Sequence, residues 1–236
     1  MTTVLITGAT RGIGRQTARE LADRGWTVWL GARDLDRGTG VAAELARDGA
    51  DVRPVQLDVT SDASVAGAAE VVGADGAALD VLINNAGISG PWVTPEETRP
   101  EDFLDCFGVN LLGPVRVTRA FLPLLRRSKD PRIVMVSSGM GSLTVTSDPD
   151  RIESTVQSLI YPASKAALNM VTSQYARALP DIRVNAVDPG YTATDLNRHS
   201  GQKTVDQGAR IVVETAAAPA GGPTGGFYDD RGTVPW

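Results

Sequence analysis

The sequence predicts a single α/β domain built on a doubly wound parallel sheet with helices on both faces. Three observations carry that reading. Short, almost wholly apolar runs such as Val4-Leu5-Ile6 and Ile133-Val134-Met135-Val136 recur along the chain, as strands buried on both faces do. Amphipathic stretches of helical length separate them, the alternation of βαβ crossovers. The 236 residues, 42% hydrophobic and 22% charged, suit one large domain that buries a core without disulfide or metal.

Each element has its own signal. The first strand is Val4-Leu5-Ile6, followed by a glycine-rich turn and a helix from Gly14 to Arg24. Thr27 to Leu30 is the second strand, and a helix from Leu35 to Arg47 follows Asp34, a good N-cap residue. Val55-Gln56-Leu57 and Val81-Leu82-Ile83 are strands three and four; Val115 to Arg126 is a helix; Ile133 to Val136 is strand five. A helix from Ser164 to Leu179 leads to strand six at Ile182-Arg183-Val184, and a Gly/Pro-rich loop, Gly221 to Gly226, precedes a last strand at Phe227-Tyr228. Loops that follow strand ends line the ligand crevice of such a sheet. Residues 88–100, 139–160 and 190–207 are therefore the expected pocket walls.

Composition excludes several function classes. The net charge is −5, from 23 basic and 28 acidic residues without a Lys/Arg block, which argues against nucleic acid and anionic membranes as partners. Cys106 is the single cysteine and His199 the single histidine. No disulfide is possible within the chain, and no metal centre is expected. The start, Met1-Thr2-Thr3, leads directly into strand one with no basic, apolar leader, and no window is long and apolar enough for a membrane span. The expected address is the cytoplasm.

Three motifs carry chemistry. The turn Thr7-Gly8-Ala9-Thr10-Arg11-Gly12-Ile13-Gly14 joins strand one to a helix. Glycines there let the backbone approach a pyrophosphate, which the helix N-terminus holds with free N–H groups. The spacing is G-x-x-x-G-x-G, unlike the commoner dinucleotide fingerprint, and a plain strand-to-helix turn is the alternative. At the end of strand two, Ala32 stands where a site for a ribose 2′-hydroxyl would place an acid, and Arg33 follows. Arg33 and Arg11 together could hold a 2′-phosphate, which points to NADP(H); a solvated arginine beside a capping Asp34 is the alternative. Tyr161 and Lys165 lie four residues apart, on one helix face, where the ammonium is expected to lower the phenol's pKa and make Tyr161 an acid near neutrality.

Gly8, Gly12 and Gly14, then Asn84-Asn85-Ala86-Gly87, Ser137-Ser138, Tyr161-x-x-x-Lys165 and Pro189-Gly190 occur in the order found in the short-chain dehydrogenases/reductases. The resemblance spans the whole chain. The segment from Asp188 to Leu196 and the tail from Gly226 to Trp236 look most like the carbonyl reductase branch. This likeness implies that Tyr161 donates a proton, Ser138 binds the reacting oxygen, Lys165 partners Tyr161 and binds the nicotinamide ribose, and Asn110 holds a relay water. It implies further that Asp58 and Val59 lie beside the adenine, Asn85, Ala86 and Gly87 behind its ribose, and Pro189, Gly190 and Thr192 on the nicotinamide side. Each residue also has a structural reading: Asp58 as the end of a strand, the asparagines as turn formers, and Asn110 as a partner for a carbonyl freed near Pro114.

Twenty-three positions separate Ser138 from Tyr161, more than in most short members of that family. The surplus, between Leu143 and Ile160, is expected to form an extra loop or short helix beside the pocket. In the carbonyl reductase branch a larger insertion accompanies monomers; the smaller one here leaves monomer and homo-oligomer both open. The apolar candidates Ile88, Trp92, Met140, Leu143, Tyr191, Leu196 and Trp236 suit a hydrophobic carbonyl or alcohol substrate. The expected function is NADPH-dependent reduction of a ketone or aldehyde. A non-catalytic NADP(H)-binding sensor on the same fold is the alternative, and it has no use for Asn110, Ser138, Tyr161 and Lys165 as a set.

Overall fold

In the computed structural model, which describes residues 1–236 except the side chains of Asp48 and Asp75, strands and helices alternate from the start. The chain runs β1 (Thr3–Ile6), α1 (Gly12–Asp23), β2 (Thr27–Ala32), α2 (Leu35–Leu45), β3 (Val52–Gln56), α3 (Asp62–Val72) and β4 (Val81–Asn84). It continues through α4 (Leu104–Phe107), α5 (Gly113–Leu125), β5 (Arg132–Val136), α6 (Leu143–Thr146), α7 (Ile160–Ala178), β6 (Arg183–Val187), α8 (Val205–Ala216), β7 (Phe227–Asp229) and β8 (Gly232–Thr233).

The eight strands form one sheet in the order β3-β2-β1-β4-β5-β6-β7-β8. Every neighbouring pair is parallel except β7 and β8, which form an antiparallel hairpin. From β1 the chain winds outward to β2 and β3, then crosses back to β4 on the other side. That reversal leaves a crevice beyond the carboxyl ends of β1 and β4, the place where such sheets bind ligands.

Side-chain alternation builds the core on both faces. Leu5 belongs to the face covered by Leu82, Val117, Phe121 and Leu168. Its neighbours Val4 and Ile6 belong to the opposite face with Leu21, Val28, Ile83 and Val212. Each fully buried side chain of this size contributes about 1.5–3 kcal/mol of transfer free energy. The run Phe121 to Leu125 has its large members in this core: Phe121, Leu124 and Leu125 are buried.

Some boundaries differ from those expected. β3 starts at Val52 rather than Val55, because Pro54 interrupts the apolar pattern yet sits harmlessly on an edge strand. α7 starts at Ile160 rather than Ser164, since Pro162 in its first turn forfeits only an N–H that has no helical partner. β6 runs on to Val187, and β8 was not foreseen at all: Asp229 accepts from the Arg231 amide in the tight turn that produces it. The surplus before Tyr161 folds as α6 and a 3₁₀ turn over Ile152–Thr155, as anticipated.

Candidate active site

The glycine turn is shaped by two left-handed glycines, Gly8 at φ +64° and Gly12 at φ +53°. Gly14 lies so close to its neighbours that a Cβ there would stand 2.4 Å from Asn85 Nδ2. That amide, brought by the end of β4, donates to the carbonyls of Thr7 (2.8 Å) and Gly8 (3.1 Å). Thr7 answers through its hydroxyl, which accepts from the Asn85 and Ala86 amides, both at 3.0 Å. The Asn85-Ala86-Gly87 segment thus laces β4 to the turn, with Ala86 packed directly against Gly8.

The α1 N-terminus fits a dinucleotide. Its first-turn N–H groups have no partner inside a helix, and Arg11 at the N-cap supplies no side-chain acceptor. Uncapped donors and a close glycine backbone are what a pyrophosphate requires. Thr10 and Ile13 flank the cradle half-buried, Ile13 packing on the core.

The two arginines separate. Arg33 is exposed beyond β2, and its charge helps hold the Asp58 carboxyl below its usual range, behind the larger effect of hydrogen bonds from Thr60. Arg11 instead pairs with Asp195 at 3.0 Å, bridging the turn to the segment after β6. In this arrangement Arg11 turns to an exposed carboxylate on the facing wall rather than toward Arg33. Asp34 caps α2 by accepting from the Arg37 amide at 3.1 Å. Val59 is buried and its carbonyl accepts from Arg116 at 2.6 Å.

At the other end of the crevice Ser138, Tyr161, Lys165 and Asn110 meet. Lys165 is buried, donates to the Val136 carbonyl at 2.8 Å, and lies 5.6 Å from the centre of the Tyr161 ring. The Ser138 hydroxyl accepts from the Met140 amide at 3.2 Å, which leaves its proton free to donate. Asn110 is fully buried in a π-helical turn, Gly108–Leu112. Its side chain is committed: Oδ1 accepts from the Ile88 amide at 2.9 Å, and Nδ2 donates to the Ile88 carbonyl and to Ser164 Oγ. Pro114, four residues on, has no N–H to offer the Asn110 carbonyl. Gly87 keeps space between these groups: a Cβ on it would stand 3.4 Å from Asn110 Oδ1 and 3.7 Å from Lys165 Nζ.

The expectation about acidity is overturned. Burial pushes the Tyr161 phenol up, and the Asp188 charge adds to the rise; Ser138 acts the other way. Burial also pulls Lys165 down to about 8. Desolvation disfavours both charged forms, and Ser138, not Lys165, is the neighbour that lowers the phenol. Tyr161 keeps its proton.

Pro189 and Thr192 are buried, and Gly190 is left-handed at φ +73°. The Thr192 hydroxyl faces the Pro189 and Gly190 carbonyls at 3.3 Å, bracing the loop. His199 is exposed and bonds Asp195, and Cys106 is buried against Asn110 and Ser164. Of the expected apolar lining, Met140 and Leu143 join Val156, Pro162 and Ala163 around a cavity of about 240 Å³ between the insertion and α7. Trp92, Tyr191 and Leu196 are largely exposed, and Trp236 stacks on Phe227 at 5.4 Å. Among the described residues no His, Cys, Asp or Glu cluster could hold a metal ion, and no helix is long and apolar enough to cross a membrane.

Sequence reasoning passed over Asp188 and Glu153. Asp188 is buried at the end of β6, accepts from the Gly190 amide at 2.9 Å, and lies against Gly139, whose amide favours the ionised carboxyl. Glu153, paired with Arg151 at 3.0 Å, reaches the same place from the insertion. The signal was available for Asp188: an ionisable residue between an apolar strand and Pro-Gly.

Comparison with known proteins accounts for this geometry. The family model described as short chain dehydrogenase matches residues 2–205. The chain is 34% identical to a (+)-neomenthol dehydrogenase of Arabidopsis thaliana over 96% of this chain and 95% of that one. It is 32% identical to a (−)-isopiperitenone reductase of Mentha piperita, with 95% of each covered. The crystal structure of an NADPH-bound carbonyl reductase from chicken fatty liver superposes with a TM-score of 0.88 at 28% identity, covering 100% of this chain and 99% of that one. The chain belongs to the short-chain dehydrogenase family.

Proposed function

We propose that the protein reduces a ketone or aldehyde to an alcohol with NADPH, with Tyr161 as proton donor. The convergence of Ser138, Tyr161 and Lys165 at the crevice end opposite the uncapped α1 N-terminus is the observation that carries this reading. The reductases and the NADPH-bound carbonyl reductase among the similar proteins support it. When bound, the reduced nicotinamide supplies the hydride for the carbonyl carbon.

The chain's own residues do the rest. Ser138 would donate its hydroxyl proton to the substrate oxygen and stabilise its developing charge, as preorganised donors do in a dry site. Tyr161, held protonated by burial, gives its proton to that oxygen. Lys165, anchored on the Val136 carbonyl beside the Tyr161 ring, would bind the nicotinamide ribose. A relay water would sit on the Asn110 main-chain carbonyl, since the side chain already bridges Ile88 and Ser164. Arg33, exposed and without a carboxylate beside it at position 32, receives the 2′-phosphate. The loops 88–100, 139–160 and 190–207 enclose a hydrophobic substrate.

The test is loss of reduced-nicotinamide absorbance with aldehydes, diketones and aryl ketones, using NADPH and NADH separately. Turnover with NADPH that a folded Tyr161→Phe variant lacks supports the reading. Undiminished turnover in that variant overturns it, and tight NADPH binding with no turnover on any carbonyl favours a sensor.

A further inference from the structure

Asp188 stands between the two loops that the proposed reaction must hold in register. One loop follows β5 and carries Ser138 and Gly139; the other follows β6 and carries Pro189 and Gly190. Asp188 Oδ1 accepts from the Gly190 amide at 2.9 Å. Gly139 lies against the other oxygen of the same carboxyl group: Oδ2 would stand 2.9 Å from a Cβ built on Gly139, and the Gly139 amide favours the ionised form. The Asp188 backbone is itself fixed, its N–H bonding the Tyr228 carbonyl at 2.8 Å. The β5 loop has a second anchor on α7, where Ser137 donates to Asn169 and Asn169 donates to the Gly141 carbonyl.

We propose that ionised Asp188 is a positioning residue that bolts the Ser138–Gly139 turn to the Pro189–Gly190 turn, fixing the oxygen-binding hydroxyl relative to the nicotinamide side. The inference rests on the roles given above to those two loops. A carboxylate can accept from both amides at once. A protonated carboxyl loses its charge and makes one of its oxygens a much poorer acceptor, so at least one of the two contacts weakens. The bolt is therefore closed above the Asp188 pKa and open below it.

The surroundings set where that happens. Burial raises the Asp188 pKa, and the nearby carboxylates Glu153 of the insertion and Asp229 of β7 raise it further. Arg151 holds Glu153, and Arg231 holds Asp229 at 2.7 Å. From α7, Tyr161 and Lys165 face the same charge. Lys203 lies against Gly190 and pairs with Asp230.

The experiment follows the Gly139 and Gly190 amide resonances of ¹⁵N-glycine-labelled protein against pH, beside the pH profile of kcat with NADPH and a carbonyl substrate. The wild type, Asp188→Asn and Glu153→Gln are compared. Both amides should titrate together in the wild type, at lower pH in Glu153→Gln, and not at all in Asp188→Asn. The acid limb of kcat should move with them, and Asp188→Asn should lose about 10- to 100-fold in kcat, the usual result of misplacing a reacting group, with NADPH affinity little changed. Amides that do not titrate together overturn the bolt whether or not the protein turns over. Joint titration with a wild-type kcat profile in Asp188→Asn overturns its positioning role, as does a loss confined to NADPH affinity. An inactive wild type whose amides titrate together would instead count against the proposed reaction and leave the bolt standing.

Discussion

Tyr161 and Lys165 form a pair in which the same burial disfavours the charged form of each. For Tyr161 this favours a donor that holds its proton until the substrate oxygen becomes basic. Replacing it with Phe should reduce kcat by about 10²–10⁴, the usual worth of general acid catalysis, with the fold retained by circular dichroism. For Lys165 the consequence appears in stability. Its folded pKa of about 8 lies below the ordinary 10.5, so between those values the unfolded chain binds a proton that the native one does not. The Lys165 contribution to stability therefore rises with pH across that window. Denaturant unfolding from pH 8 to 10 should show the wild type gaining on Lys165→Met, and a flat or falling difference would contradict the assignment. Arg33 makes a separable prediction: Arg33→Asp should weaken NADPH binding and shift preference toward NADH. An unchanged ratio of the two affinities removes Arg33 from the phosphate site.

At the scale of elements, the turn between β1 and α1 has no slack. Gly14→Ala would drive a methyl group to 2.4 Å from Asn85 Nδ2 and 2.7 Å from the Gly8 carbonyl. Something must move, and what moves is the lacing that holds β4 to the turn. Cofactor affinity should fall at least about tenfold, with Tm lowered by overpacking of about 1–3 kcal/mol; titration of NADPH fluorescence and a melting curve check both. These glycines were legible in the sequence because their type and order follow from the backbone conformation they must adopt. The strands were legible because both faces are buried, which leaves an unbroken apolar run. The edges of elements were harder to place: Pro54 disguised the start of β3, and Pro162 disguised that of α7. Asp188 and Glu153 escaped notice because their meaning lies in a meeting across 35 positions that no local pattern records. The acidity of Tyr161 is illegible for a related reason, since spacing reveals a neighbour but not the loss of water around it.

Across the whole molecule, the crevice is walled by parts that are distant in sequence. Arg11 in the first turn reaches Asp195 beyond β6. Ser142 donates to the Pro235 carbonyl at 2.6 Å and Thr144 to the Trp236 carbonyl at 3.1 Å, while Trp236 stacks on Phe227. The tail therefore clasps the insertion that lies beside α7. Removing Pro235 and Trp236 should cost about 2 kcal/mol, or roughly 4–8 °C in Tm, and expose residues 143–158 to limited proteolysis. An unaltered digestion pattern would show that the clasp bears no strain. The same clasp gives assembly a direction in time. A nascent chain emerges amino end first, so the glycine turn and the first four strands can pair while the last are still being made. The wall beside Tyr161 is completed only when residues 232–236 have been made, so the part of the crevice formed by β1 and β4 is built before the part beside α7.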